Sequence, residues 1–312
     1  MSEMQRRGAR SEERGAQDGT RPVPPTTASA ARRSALLAPR SSLLSRTLVY
    51  ALLVATALVI VFPLLYGLAV SFMSADEAAA YPPHFWPSSF SFTNYDVVLR
   101  RLPIPRYILN SVVVSLAVMA AQLVTASLAA YAFAVREFRG RAALFALFLS
   151  TLMIPWEVTI IPNYQTVQAL GWTDRYVGLV APFVATAFGT FLLRQFFLTI
   201  PKELHDAATI DGCGSLRYLL TIVLPLSRPA LGTLAIYSFL QTWNQYLWPL
   251  LVTNSKDMRT AQIGLGFLQN EEAIAPNYIM AGVVLVVLPT VLLLIAGQRQ
   301  LVRGLTAGAV KG

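Results

Sequence analysis

Apolar residues in this chain come in long uninterrupted blocks. No charged residue lies between Arg46 and Asp76, and the run from Thr47 to Met73 is apolar almost throughout. A helix needs about 20 predominantly apolar residues to cross the ~30 Å hydrocarbon layer of a bilayer. Six stretches meet that test, at about 47–73, 107–135, 142–164, 176–198, 221–252 and 278–296. The pattern predicts an all-α, polytopic membrane protein with six transmembrane helices. Pro63, Pro155, Pro182 and Pro289 fall inside these stretches. Membrane helices tolerate proline where neighbours satisfy the freed backbone groups, so kinks packed against a bundle are expected.

The intervening segments set the organisation. Residues 1–46 are rich in Arg, Ser, Ala, Pro and Gly, with almost no large apolar residue before Leu36. Such a segment buries too little surface to offset its ordering entropy. It reads as a disordered cytoplasmic tail, with a transmembrane domain over 47–312. It is too long and polar for a cleaved signal peptide. The largest outer segments, about 74–106 and 254–277, read as amphipathic or irregular loops. Lys and Arg accumulate on the cytoplasmic side of membrane proteins. With the N-terminus inside, nineteen basic residues fall inside and six outside, and both termini are cytoplasmic.

Composition agrees. Charged residues make up 13 % of the chain against 55 % apolar, about half the usual charged share. The net charge of +9 follows from that topology without invoking nucleic acid. Cys213 is the only cysteine, and His84 and His205 are far apart. Thiolate clusters and an intrachain disulfide are excluded, and a histidine-rich metal site is not expected.

The most informative connection is about 201–225, between spans four and five. Pro201 suits a first helical turn, and Glu203 and Asp206 place negative charge near the positive helix end. Ala207 and Ala208 make a smooth face, Gly212 and Gly214 break the helix, and a second amphipathic stretch leads to Pro225. This is a cytoplasmic helix-turn-helix shaped to dock into a partner.

Here the chain resembles the binding-protein-dependent ABC importer permeases. That family shares the pattern Glu-Ala-Ala, three residues, Gly, nine residues, Ile-x-Leu-Pro. Asp206, Ala207, Ala208, Asp211, Gly212, Ile222, Leu224 and Pro225 match it. The departure is Asp206 where Glu is usual, which keeps the carboxylate on a shorter stem. The resemblance implies a coupling helix seated on an ATPase subunit. The tail Gln298–Gly312 and Phe191–Phe197 look like the maltose-type carbohydrate permeases. The stretches 153–162 and 243–250 are similar to the glycerol-3-phosphate branch. Implied partners are a sister permease, an ATPase dimer and an extracytoplasmic solute-binding protein, in a bacterial plasma membrane. No Gly-Lys-Ser or Gly-Lys-Thr occurs in the chain. A phosphate-binding loop of that type is therefore lacking; no cofactor is expected here, and ATP belongs to the partner.

Glu157, the only acid of the third span, is a pathway candidate because an intramembrane charge is costly; a residue hydrated near the interface is the plainer alternative. Trp243, Asn244, Gln245 and Tyr246 in the fifth span offer aromatic faces and amides suited to polyols and sugars. Helix–helix hydrogen bonding would use the same groups. Gln241 shares the Asn244 face. Asn110 and Gln122 read as packing contacts, and Trp86, Trp156, Trp172 and Trp248 as interface anchors. Glycerol-3-phosphate or a related glycerophosphodiester is the first solute expected, with a maltose- or trehalose-type oligosaccharide as the alternative. An ion-coupled carrier would show paired repeats and midplane charges, and an intramembrane enzyme would need a catalytic constellation within the spans.

Overall fold

The computed structural model describes residues 43–270 and 275–306. Most of the expected tail and the final residues 307–312 lie outside the described residues. The chain divides into two units, Met1–Val61 and Phe62–Gly312. In the first, the described part is the opening of helix α1 (Leu43–Val70). It starts four residues earlier than the expected boundary. Every residue from 46 to 61 is exposed, although mean hydropathy there is that of a membrane span. A helix apolar on all sides needs lipid or protein around it.

The second unit is built around a long helix, α3, reached through α2 (Thr93–Arg101). Helix α3 (Ile104–Ala134) starts with prolines at 103 and 105, where a missing N–H costs nothing. Its buried residues Tyr107, Asn110, Ser111, Val114, Ser115 and Val118 recur at helical spacing and face the interior.

The three middle spans are each broken. Helix α4 (Arg141–Ser150) and a 3-10 turn meet α5 (Trp156–Ala169) at 95°. Pro155 caps α5, and Ile154 before it is extended, as proline demands of its predecessor. Helix α6 (Tyr176–Val180), with a turn containing Pro182, meets α7 (Ala187–Phe197) at 49°. The connection α8 (Lys202–Ile210) leads to α9 (Ser215–Leu226), which meets α10 (Arg228–Trp243) at 83°. Ser227, between them, donates its hydroxyl to the Val223 carbonyl, and Pro229 begins α10. Two of the prolines expected to kink spans therefore sit at breaks, while Pro63 and Pro289 lie inside continuous helices.

The expected fifth span, 221–252, is thus three pieces. Residues up to Leu226 belong to α9, α10 ends at Trp243, and α11 (Leu247–Val252) is separate. Among the described residues three helices are long and apolar enough to cross a membrane, or up to six if each bent pair is one span. Helix α10 packs on α3 and on the last helix, α13 (Pro276–Thr306), and α7 packs on α3.

The outer segment expected as a loop at 254–277 holds a packed helix, α12 (Ala261–Asn270). Ala261, Ile263 and Leu268 are buried. A side chain at Gly264 would stand 2.3 Å from the Tyr107 ring, so the ring lies directly on the backbone. Polar contacts tie these elements together. Asn110 donates to the carbonyls of Asp257 (2.7 Å) and Arg259 (2.8 Å) and accepts from the Tyr176 hydroxyl (2.7 Å). Asp174, at φ 56°, accepts from the backbone N–H groups of Asn254 and Ser255. Gln122 donates to Phe183 and accepts from Ser238. Both amides expected as packing contacts bridge elements far apart in sequence. Trp248, expected at an interface, is instead buried, with Trp156 and Phe183 edge-on around it.

Candidate functional site

The loop at 201–225 is a helix, a left-handed turn and a second helix. Pro201 caps α8, and Asp211 ends it. Gly212 has φ 70°, a conformation that costs an L-residue with a side chain roughly 1–2 kcal/mol. The Cys213 N–H donates to the Ala208 carbonyl at 2.8 Å and the Gly212 N–H to Thr209 at 3.0 Å, satisfying carbonyls the helix end leaves open. Ala208 is buried against the membrane helices with Tyr218, Leu219 and Val223. Asp206, Ala207, Asp211, Gly212 and Pro225 are exposed, and Ile222 and Leu224 are half-buried. The motif therefore divides into an inner face that anchors and an outer face that is open.

The outer face holds groups that motif spacing did not single out. Ile210 is 87 % exposed and Leu216 60 %. Large apolar side chains thus lie open to the surroundings beside the exposed Asp206 and Asp211. The signal in the sequence was an apolar residue next to a helix-ending Asp-Gly. Behind α8 a cleft of about 450 Å³ opens, lined by Glu137, Arg141, Lys202, His205, Asp206 and Tyr218. His205 stands edge-on to Tyr218 at 5.1 Å, so it braces the helix from within. Arg136 donates to Ser215 at 3.0 Å and joins the end of α3 to the second half of the loop.

The pathway candidates separate. Trp243 is buried and stacked on Phe239 at 5.6 Å, so its ring packs the core. Asn244 caps α10 and is exposed. Gln245 is half-buried and Tyr246 exposed, with its ring against Gly266. Glu157 is exposed in the first turn of α5, just past the 95° break. Asn244 accepts from Gln262 of α12 at 3.4 Å, and Gln241 donates to Tyr237 at 3.0 Å. Tyr237 and Gln262 were not predicted. Tyr237 was within reach, lying four and seven positions before Gln241 and Asn244. Gln262 was not, because its neighbourhood depends on the folding of α12.

The fold is a helical membrane domain with broken spans and an exposed helix-turn-helix anchored to it through Ala208. Residues 122–307 match the family described as binding-protein-dependent transport system inner membrane component, and the chain belongs to that family. It is a multi-pass inner-membrane permease component of a binding-protein-dependent ABC importer and is not itself an enzyme. Membership implies partners of three kinds: another permease, an ATPase and a solute-binding protein. The chain is 37 % identical over 271 residues to the sn-glycerol-3-phosphate transport system permease protein UgpE of Agrobacterium fabrum, covering 84 % of this chain and 96 % of that one. It is 36 % identical over 265 residues to the protein of that name from Yersinia enterocolitica, covering 82 % and 94 %. A crystal structure of a bacterial ABC transporter involved in import of the acidic polysaccharide alginate contains a chain of the same fold. Its TM-score is 0.75 at 22 % identity, covering 83 % of this chain and 97 % of that one.

Proposed function

We propose that this chain forms half of the translocation pathway for glycerol-3-phosphate or a closely related glycerophosphodiester. The observation that carries the solute is the 36–37 % identity, over more than four fifths of the chain, to permeases of that solute. An oligosaccharide permease of the same family is the reading it displaces. The other half is a different sister permease, and an extracytoplasmic binding protein delivers the solute. Both termini are cytoplasmic, which places α8 and α9 on the ATPase side. ATP is bound by the ATPase pair, and this chain carries no cofactor.

Asp206, Ala207, Ala208, Asp211, Gly212, Ile222, Leu224 and Pro225 make the coupling element. Its exposed half seats on the ATPase while its buried half moves α3, α7 and α10. Asn244, Gln245 and Tyr246 border the pathway, with Glu157 at its hydrated edge and Trp243 supporting the helix end from the core. The test is uptake by the complete transporter in liposomes, with labelled glycerol-3-phosphate beside labelled maltose. ATP-dependent uptake of glycerol-3-phosphate alone is expected. Uptake of maltose alone would remove the proposed solute.

A further inference from the structure

Helix α10 has one polar, open flank in an otherwise packed element. Thr233, Leu234, Ser238, Thr242 and Trp243 are buried against its neighbours. Tyr237, Gln241 and Asn244 are exposed. Their spacing of four and three residues puts them on one side of the helix, along about 10 Å of its length at 1.5 Å per residue. Gln262 of α12 extends the row through its bond to Asn244. Nearer the start of α10 the row is closed, because Phe188 of α7 lies 4.4 Å from the Tyr237 ring.

Two amides and a phenol on the open side of a membrane helix cannot face hydrocarbon without loss. Moving an amide into an apolar medium without a partner costs several kcal/mol. The bonds they make here leave capacity unused. The Gln241 bond to Tyr237 and the Gln262 bond to Asn244 each use one of two amide N–H donors, and the Gln241 carbonyl has two acceptor sites of its own. The lower exposed surface of α13 differs, presenting Leu288, Leu292 and Ile295, which suit lipid.

We propose that Tyr237, Gln241, Asn244 and Gln262 form a water-exposed stripe on the pathway wall that binds the hydroxyl groups of the solute. This deepens the function proposed above and rests on it. The stripe carries neither cation nor anion. This subunit therefore reads the polyol end through neutral hydrogen bonds, and the phosphate charge is met elsewhere in the assembly.

The test uses the complete transporter in liposomes. Cysteine replaces Tyr237, Gln241 or Asn244 one at a time, with Leu288→Cys and Leu292→Cys as lipid-facing controls. Labels added by a charged thiosulfonate are counted from the intact mass of this chain, and each variant is compared with the parent chain, whose native Cys213 sets the background. The stripe positions are expected to gain a label, lose it when solute and binding protein are present, and stay distinct from the unlabelled controls. Gln241→Leu is expected to raise the KM of uptake roughly five- to tenfold, the worth of one hydrogen bond. That increase should not change with salt, and Gln241→Asn should restore part of it. Stripe cysteines that label only in the isolated chain would place them against the sister permease and overturn the proposal. Labelling indifferent to solute, with an unchanged KM in Gln241→Leu, would overturn it equally. Wild-type uptake of glycerol-3-phosphate and maltose in the same vesicles isolates the solute question. If neither enters while a third solute protects the stripe, the solute assignment fails and the stripe stands.

Discussion

Gly212 and Asn110 show how single residues hold this permease together. At φ 70° Gly212 lets α8 stop and the chain reverse. Gly212→Ala should lower stability by about 1 kcal/mol, the strain of the left-handed region, and leave the fold intact. Gly212→Pro is different, because proline fixes φ near −65° and the turn cannot form. Uptake and binding-protein-stimulated ATPase activity should both disappear while the chain still inserts. ATPase activity that remains fully stimulated in Gly212→Pro would refute a coupling role for the loop. Asn110 works by satisfaction rather than conformation. Its amide closes two carbonyls and one hydroxyl from segments about 150 and 66 positions away. Asn110→Leu strands those groups in a buried site, each worth about 1–3 kcal/mol. The melting temperature in detergent should fall, with Asn110→Asp less harmful at low pH than at neutral pH, since only the neutral acid can donate to a carbonyl.

At the scale of elements, the segment after α1 contains a small pH-sensitive device. Ser74 and Glu77 form a reciprocal cap on the turn Ala75–Ala78. The hydroxyl of Ser88 and the backbone N–H of Ser74 donate to the Glu77 carboxylate, which holds its pKa down at about 2 from 4.5. A carboxylate with a depressed folded pKa stabilises fully above the unfolded value and loses its contribution as pH falls through the folded value. Protection of the Ser74 and Ser88 amides against hydrogen exchange should therefore be constant above about pH 4.5 and decline toward pH 2. In Ser88→Ala the decline should begin at higher pH, and an unchanged profile would remove Ser88 as the main cause. Breaks in the spans are the other lesson of this scale. Hydropathy located six apolar stretches because burial in lipid requires apolar side chains whatever the backbone does. It could not locate the bends at 154–155, 184–186 and 227, because a bent pair and a straight helix share the same composition. Proline offered a partial signal: Pro155 and Pro182 coincide with breaks, whereas Pro63 and Pro289 do not. The difference lies in what satisfies the freed carbonyls, which is a property of neighbours. For the same reason α12 was legible only as an outer loop. Its place depends on Gly264 meeting the Tyr107 ring, a contact across more than 150 positions. The loop at 201–225 was far more legible, since a proline capping α8 and a left-handed glycine just past its end are local requirements.

For the whole molecule the orientation expected from charge decides which end of each element would meet ATP. Basic residues in the short connections stand ten to six in favour of the side that carries 136–141 and 194–228. The same rule would put the basic N-terminal segment on that side, although long segments weigh less in it. If each bent pair crosses once, there are six crossings, and the two ends of the chain share a side. If a pair such as α4 and α5 turned back instead, the parity would change and Arg175 and Arg217 would exchange sides relative to the tail. Position-specific reporters separate these cases. Epitope tags inserted at Phe138 and Cys213 should be reached only from the cytoplasmic side, and tags at Asp174 and Asp257 only from outside. A tag at Asp174 reached from the cytoplasm would mean that α4 and α5 form a re-entrant hairpin. The stripe on α10 would then open toward the wrong compartment for a solute delivered from outside. Tags that alternate sides as expected leave α8 facing the ATPase and the stripe near the outer end of α10, the order an importer requires.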